Sequence, residues 1–143
     1  MNIINLMRST ALIFLLMTAF LANAAEREHK VVYHINDSAN ATAALHNIRN
    51  HLNASPKTKI VVVTLGAGID FLLDGAKNPN GNPYEIPVQE LAGRQVEFRV
   101  CNNTLESRNI DKSRVLPEAT IVPSGVAEIA RLQAEEGYVY LKP

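Results

Sequence analysis

The segment KIVVVTL, from Lys59 to Leu65, decides the fold of this chain. It is an apolar run that lacks the alternation of polar and apolar residues typical of a strand with one wet face. Strands at the centre of a parallel sheet have this composition because helices cover both of their faces. The segment therefore predicts a central strand of a parallel sheet, and the segments on either side of it are expected to supply the covering helices.

Strands and helices alternate on both sides of this central segment. Upstream, KVVYHI (residues 30–35) predicts a strand, and a helical apolar stripe follows it, formed by Ala41, Leu45, Ile48 and Leu52. Downstream, strands are predicted at 95–100, 119–122 and 138–141, and helices at 69–73, 84–91, 102–108 and between Ser124 and Gly137. The order β-α-β-α-α-β-α-β-α-β predicts a three-layer α/β/α fold with a mainly parallel five-stranded sheet.

The first 24 residues have the pattern of a secretory signal peptide. A short segment with the single charge Arg8 precedes the apolar run from Ala11 to Leu21, and Ala22-Asn23-Ala24 follows as a cleavage site. A retained anchor is disfavoured because the apolar run is about half of the roughly 20 residues that a spanning helix needs. We therefore predict cleavage after Ala24, a single domain over residues 25–143, a periplasmic location and no membrane association after cleavage.

The charge balance excludes one class of partner. The chain carries 14 basic and 14 acidic residues, and cleavage after Ala24 removes only Arg8 from these. A nucleic-acid-binding protein usually shows an excess of positive charge. We therefore expect no nucleic-acid partner.

A single cysteine, Cys101, is the most distinctive residue of the predicted mature chain. Exported proteins usually pair their cysteines, so an unpaired one is buried and inert, paired between chains, or kept for its reactivity. Val96, Phe98 and Val100 occupy one face of the predicted strand. Continuing this alternation places Cys101 on the opposite face, with Arg99, at the carboxyl end of the strand.

The residue that follows Cys101 begins a predicted helix. Backbone N–H groups at a helix N-terminus stabilise a thiolate, and so does a nearby arginine. Arg99 and Arg108 are the available cations, and Asn102 and Asn103 can supply further hydrogen-bond donors. We therefore expect Cys101 to be accessible and more acidic than a free cysteine; the alternative is a small buried core residue.

Ligands of parallel α/β sheets bind at the carboxyl ends of the strands. The residues predicted to form a cleft at this edge are Asn36, Asp37, Gly66, Gly68, Cys101, Asn102, Pro123 and Ser124. Gly66 and Gly68 are interpreted as turn residues, because Phe71 stands where a nucleotide-binding motif needs a third small residue and no lysine follows for a phosphate loop. Ser124 is interpreted as a helix cap.

The histidines do not predict a metal site. His46 and His51 are five residues apart and so do not share one helical face. His34 can meet Cys101 only through the fold, which leaves open a Cys–His nucleophile or a structural histidine. We predict neither a metal nor a cofactor.

Two blocks of the sequence resemble the DsrE/DsrF-like sulfur-relay family, which includes the TusD-type subunits. The more specific block is VEFRVCNNTL (residues 96–105) followed by Arg108, and the second is IVPSGVAEI (residues 121–129) with the closing Gly137-Tyr138. In the relay proteins, a cysteine after the third strand accepts sulfur as a persulfide, and an arginine follows several residues later. Cys101 and Arg108 match these positions.

The resemblance implies a five-stranded parallel sheet between helices and assembly into oligomers. Two features depart from the relay subunits. Asn109 stands where they usually carry glycine, and this chain has the signal of an exported protein whereas the relay is cytoplasmic. The chain therefore looks like an exported DsrE-like branch, for which a role in modifying transfer RNA is not implied.

The leading hypothesis is an exported sulfur-binding or sulfur-transfer protein that holds a sulfane sulfur as a persulfide on Cys101. Its expected partners are a further copy of the chain and a protein that donates or accepts sulfur. The alternative is a non-catalytic oligomeric binding or scaffold module in which Cys101 is structural. A third hypothesis is a redox sensor that pairs Cys101 between chains. Whether the protein is an enzyme stays open.

Overall fold

The structure, a computed structural model, describes residues 28–143. The predicted signal peptide and the predicted first residue of the mature chain, Ala25, lie outside the described residues. Within the part of the chain that is described, no helix is long and apolar enough to cross a membrane.

Nine helices and strands follow one another in the described chain in the order that the sequence predicts. They are β1 (Lys30–Asp37), α1 (Ala41–Ala54), β2 (Lys59–Ala67), α2 (Glu85–Gly93), β3 (Glu97–Cys101), α3 (Asn102–Ser107), β4 (Ala119–Val122), α4 (Gly125–Glu136) and β5 (Val139–Leu141). Short 3-10 turns lie at Ser38–Asn40, Asp70–Leu72 and Lys112–Arg114. The helix predicted from Ile69 to Leu73 is one of these turns.

The five strands form one parallel sheet in the order β4-β3-β2-β1-β5. The KIVVVTL segment lies in β2, the middle strand, as its composition predicts. The predicted α/β fold with a five-stranded parallel sheet is thus confirmed. Because all strands run the same way, the carboxyl ends of β1, β2 and β3 meet at one edge of the sheet.

Helices cover both faces of the sheet. On one face, α1, α2 and α3 bury a large core that includes Ile48, Leu91 and Leu105. On the other face, a smaller core contains Ile129 and Leu132 of α4. The Cys101 side of β3 faces α4.

The face of α4 that is buried differs from the one the sequence predicts. The helical spacing of Val126, Ile129, Ala130 and Gln133 in the sequence predicts that they share one side of this helix, but the buried residues are Gly125, Ile129 and Leu132, and Val126 is 67% exposed. α4 therefore presents a different side to the sheet from the one that the sequence predicts. Gly125, which has no side chain, is the residue that packs against the sheet at the start of this helix.

Candidate functional site

Cys101 lies where β3 passes into α3. It is the last residue of β3 and the N-cap of α3, and it pairs with Val122 of the edge strand β4. Its side chain is 4% exposed. The prediction that Cys101 is accessible is therefore wrong for the described chain, because α4 begins directly against it.

The contact between Cys101 and α4 depends on a glycine. Gly125 is the first residue of α4, and a Cβ atom added there would lie 3.2 Å from Cys101 Cβ and 3.0 Å from Leu65 Cδ2. These separations are tighter than a side chain normally accepts. The absence of a side chain at Gly125 therefore lets the backbone at the start of α4 approach Cys101.

Several hydrogen-bond donors converge on Cys101. Burial by itself would raise the pKa of the thiol, but the N–H of Gly125, the hydroxyl and N–H of Thr104 and the N–H of Asn103 lower it, and the net result is a pKa below the ordinary value. The donors come from the N-termini of two helices, α3 and α4, where backbone N–H groups lack partners within the helix. The predicted direction of the pKa shift is thus supported, although the thiol is buried.

Thr104 connects Cys101 to the end of β2. Its hydroxyl oxygen accepts a hydrogen bond from the N–H of Gly66 at 3.1 Å, so the hydroxyl proton is left to donate to sulfur. Gly66 adopts a left-handed conformation with φ of 58°. Its carbonyl accepts from Nη1 of Arg108 at 3.2 Å.

The two candidate arginines contact carboxylates. Arg108 donates from Nη1 to Oδ1 of Asp70 at 2.6 Å. Arg99 donates from Nη2 to Oε2 of Glu97 at 2.6 Å and from Nη1 to Oε1 of Glu128. The main groups that lower the pKa of Cys101 are hydroxyl and backbone donors, whereas these arginines are paired with acidic side chains.

The two asparagines after Cys101 act differently from each other. The side-chain nitrogen of Asn102 donates to Oε1 of Glu106 at 2.7 Å, within α3. Asn103 contributes its backbone N–H to the thiol, and the same N–H donates to the carbonyl of Pro123 at 3.3 Å. The side chain of Asn102 therefore supports the helix, while the backbone of Asn103 belongs to the site.

Three of the remaining predicted cleft residues, Asn36, Gly68 and Ser124, have structural roles. Gly68 packs against the backbone of Ile35 and Asn36, where a side chain would collide with the carbonyl of Ile35. Ser124 caps α4, since its Oγ accepts from the N–H of Ala127 at 3.4 Å. These contacts make Asn36, Gly68 and Ser124 parts of the framework around the site.

Asp37 belongs to a separate cavity. Its Oδ1 accepts from the N–H of Ala39 at 2.9 Å, and its side chain lines a cavity of about 630 Å³ together with Asp70, Asp74 and Arg114. Cys101 does not line this cavity. The predicted strand-end cleft is therefore not a single site around the thiol.

His34 makes its hydrogen bond away from Cys101. Its Nδ1 is bonded to the hydroxyl of Tyr140 at 2.8 Å, and burial together with the charge of Lys142 lowers its pKa. This contact favours a structural role for His34. Among residues 28–143, no group of three or more His, Cys, Asp or Glu side chains is arranged to hold a metal ion.

Three residues of the site were missed by the sequence reasoning: Thr104, Gly125 and Glu128. A hydroxyl three residues after Cys101 in the predicted helix was an available signal for Thr104. Ser124 is the helix cap that the sequence predicts, but the contact of the next residue, Gly125, with Cys101 has no signal in the sequence pattern. Glu128 reaches the site only through Arg99.

The model of the DsrE/DsrF-like family matches residues 10–143. Among solved structures, the fold is similar to that of MTH1491, a protein of unknown function from Methanobacterium thermoautotrophicum. The two chains are 30% identical, with a TM-score of 0.73 over 81% of this chain and 100% of that one. The YchN protein from E. coli is 14% identical, with a TM-score of 0.67 over 80% of this chain and 99% of that one, and it shows the fold alone. No curated protein matches the sequence.

Proposed function

Since the chain belongs to the DsrE/DsrF-like family, whose members generally serve sulfur relay, we propose that it is an exported sulfur carrier with Cys101 as its acceptor. The observation that supports this most is the set of donors around the thiol: N–H groups from the starts of α3 and α4 and the hydroxyl of Thr104. These donors stabilise an anionic sulfur, and both a thiolate and a persulfide anion carry their charge on sulfur.

The proposed reaction is a transfer of sulfane sulfur. The Cys101 thiolate attacks the outer sulfur of a donor persulfide, R–S–SH. A bond forms between Sγ and that sulfur, the original S–S bond breaks, and R–S⁻ leaves with the electron pair. Cys101 then carries –S–SH, and attack by an acceptor thiolate reverses these steps. No external oxidant or reductant is required.

The lowered pKa makes the first step faster at neutral pH, because the thiolate is the attacking form. An unperturbed thiol with a pKa near 8.5 is only a few per cent ionised at pH 7, and a lowered pKa increases that fraction. The helix N-termini around Cys101 would therefore supply the reactive form without a histidine base.

The test of this function is sulfur loading of the purified mature chain. Reduced protein is incubated with a small-molecule persulfide and then with an acceptor thiol, and intact mass is measured after each step. We expect a gain of one sulfur atom on Cys101 that the acceptor removes, and no gain in the Cys101→Ser variant. Loading of the variant to the same extent would assign the sulfur to another group.

Export is part of the proposal and is supported by the signal pattern at residues 1–24. The mature protein would then begin at Ala25 and occupy the periplasm. N-terminal sequencing of protein from the periplasmic fraction tests this, and an intact Met1 in a membrane fraction would contradict it.

The burial of Cys101 favours a second candidate function. A thiol that is 4% exposed is also what a structural cysteine in a non-catalytic oligomeric binding or scaffold module would show. The two candidates differ in reactivity: a carrier must admit a donor to its native thiol, whereas a structural cysteine reacts only after unfolding.

Self-association is proposed for either function. The edge strand β5 carries three apolar side chains that are partly or largely exposed, Val139, Tyr140 and Leu141. An edge strand has unpaired backbone groups that can pair with another strand. A second copy of the chain is the partner we propose for this edge.

A further inference from the structure

Glu128 is the most enclosed carboxylate near Cys101. Its side chain, 12% exposed, lies between two arginines. Oε1 accepts from Nη1 of Arg99 on β3, and both carboxylate oxygens accept from Arg131 of α4, at 2.9 and 3.1 Å. These contacts hold the pKa of Glu128 below its usual value: the hydrogen bond from Arg131 lowers it most, burial opposes this, and the charge of Arg99 lowers it further.

The Arg99–Glu128 pair joins the same two elements as the contact between Cys101 and Gly125. Arg99 precedes Cys101 by two residues on the same face of β3, and Glu128 follows Gly125 by three residues in the first turn of α4. The Arg99–Glu128 ion pair and the N–H of Gly125 therefore both link β3 to α4. Along α4, Gly125 and Glu128 lie about one helical turn apart.

We propose that Glu128 is the positioning residue of the sulfur site. Through Arg99 it holds the first turn of α4 against β3, which keeps the N–H of Gly125 directed at Cys101 Sγ. Arg131, which also lies on α4, donates hydrogen bonds to the Glu128 carboxylate and holds it where it accepts from Arg99. This deepens the proposed function and rests on it, since the positioned donor stabilises the anionic sulfur of the carrier.

The direction in which the pKa of Cys101 shifts when Glu128 is replaced distinguishes a positioning role from a purely electrostatic one. A carboxylate near a thiol disfavours the thiolate, so removing its charge alone would lower the pKa of Cys101. If Glu128 instead positions α4, its removal weakens the Gly125 donor and raises that pKa. The two roles predict opposite shifts.

Other titrating groups do not obscure this comparison between pH 6 and 10. The charged groups on the elements around Cys101 are Glu97 and Arg99 on β3, Glu106 and Arg108 with α3, Lys59 on β2 with Asp70 after it, and Glu128, Arg131, Glu135 and Glu136 on α4. These groups are the same in the parent protein and in each variant apart from position 128. His34 of β1 has a lowered pKa and stays neutral over most of this pH range. The transition observed is then that of the thiol.

The test is the rate of alkylation of reduced, sulfur-free protein as a function of pH. In Glu128→Ala the midpoint should move upward by about one pH unit. In Glu128→Gln, which retains an acceptor oxygen and nearly the same volume, it should move upward by less. Glu90→Ala is the matched control, because Glu90 also binds an arginine, Arg49, but does so between α1 and α2 on the other face of the sheet; its midpoint should not move.

A midpoint in Glu128→Ala that is unchanged or lower than that of the parent protein overturns the positioning role. Circular dichroism of each variant confirms folding, and Glu128→Gln supplies the sign of the shift if the alanine variant unfolds. Sulfur is absent from this assay, so its result is independent of loading. Failure to load sulfur with an upward shift present rejects the carrier function and leaves the positioning of α4 intact.

Discussion

Cys101 and Gly125 are in contact across the carboxyl edge of the sheet, and the N–H of Gly125 is among the donors that lower the pKa of the thiol. One residue ends a strand and the other begins a helix, so the contact joins β3 to α4. The closeness depends on the missing side chain of Gly125, and this dependence can be tested by adding one methyl group.

Gly125→Ala should destabilise the protein and raise the pKa of Cys101. The new Cβ would lie 3.0 Å from Leu65 Cδ2 and 3.2 Å from Cys101 Cβ, so the start of α4 must move away. Overpacking of this kind costs about 1–3 kcal/mol. Urea unfolding and the pH dependence of alkylation measure the two effects.

Gly93→Ala is the control for this substitution. Gly93 also lies in a helix, and a Cβ added there meets no atom within 4 Å. Its unfolding free energy should stay equal or rise, with no change at Cys101. An equally stable Gly125→Ala variant with an unshifted alkylation midpoint would show that the contact with Gly125 is unimportant.

Thr104→Val should raise the pKa of Cys101, because valine keeps the shape of threonine and removes the hydroxyl that donates to sulfur. Loss of one hydrogen bond to a charged group costs about 1.5–3 kcal/mol, which corresponds to an upward shift of about one pH unit or more. Thr104→Ser retains the hydroxyl and should keep the midpoint near that of the parent. Identical midpoints for valine and serine would remove Thr104 from the site.

The stability of the protein should depend on the ionisation of Cys101. A thiol whose pKa is lower in the folded state contributes stability that is fully present above the unfolded pKa, near 8.5, and is lost as pH falls through the folded pKa. The stability difference between the parent and Cys101→Ser should thus increase from pH 6 to pH 9.5. Each unit of pKa difference corresponds to about 1.4 kcal/mol.

Urea unfolding of both proteins under reducing conditions at the two pH values measures this difference. Serine stays neutral throughout, so the comparison isolates the thiol from other titrating groups. A difference that is constant or that decreases with pH would contradict a lowered pKa, since a thiol with a raised pKa destabilises the folded state as it ionises.

Val139→Lys should weaken self-association. Val139 is 62% exposed on the edge strand β5, and a lysine on an edge strand opposes pairing with another strand. Ile86→Lys is the control, since Ile86 is 66% exposed on α2, away from the sheet edge. Sedimentation at micromolar concentration should show a smaller species for Val139→Lys only. Equal assemblies for both variants would place the interface elsewhere.

The fold was predictable because its signals are local. The apolar run of β2, the stripe of α1 and the Ser124 and Gly137 caps of α4 each report on a few neighbouring residues. The face of β3 that carries Cys101 also followed from strand alternation. The side of α4 that packs on the sheet did not follow from the sequence, because a glycine was not expected to lie at the contact.

The environment of Cys101 was less predictable because tertiary contacts create it. Arg99 and Arg108 looked like free cations in the sequence, but they bind Glu128 and Asp70, which are 29 and 38 residues away. The donors that lower the pKa of the thiol are chiefly backbone N–H groups, which every non-proline residue carries. Only the fold determines which of them point at the sulfur.

Whether Cys101 carries sulfur can be read from the mass of the native protein. Protein purified from its native host without reductant is analysed intact and after proteolysis, before and after treatment with a thiol reductant. If the protein is a sulfur carrier, the peptide that contains Cys101 should have the extra mass of one sulfur atom, which the reductant removes. A Cys101 that is found only as the unmodified thiol, resists alkylation at pH 7 in the folded protein and reacts once the protein is unfolded would contradict the carrier function.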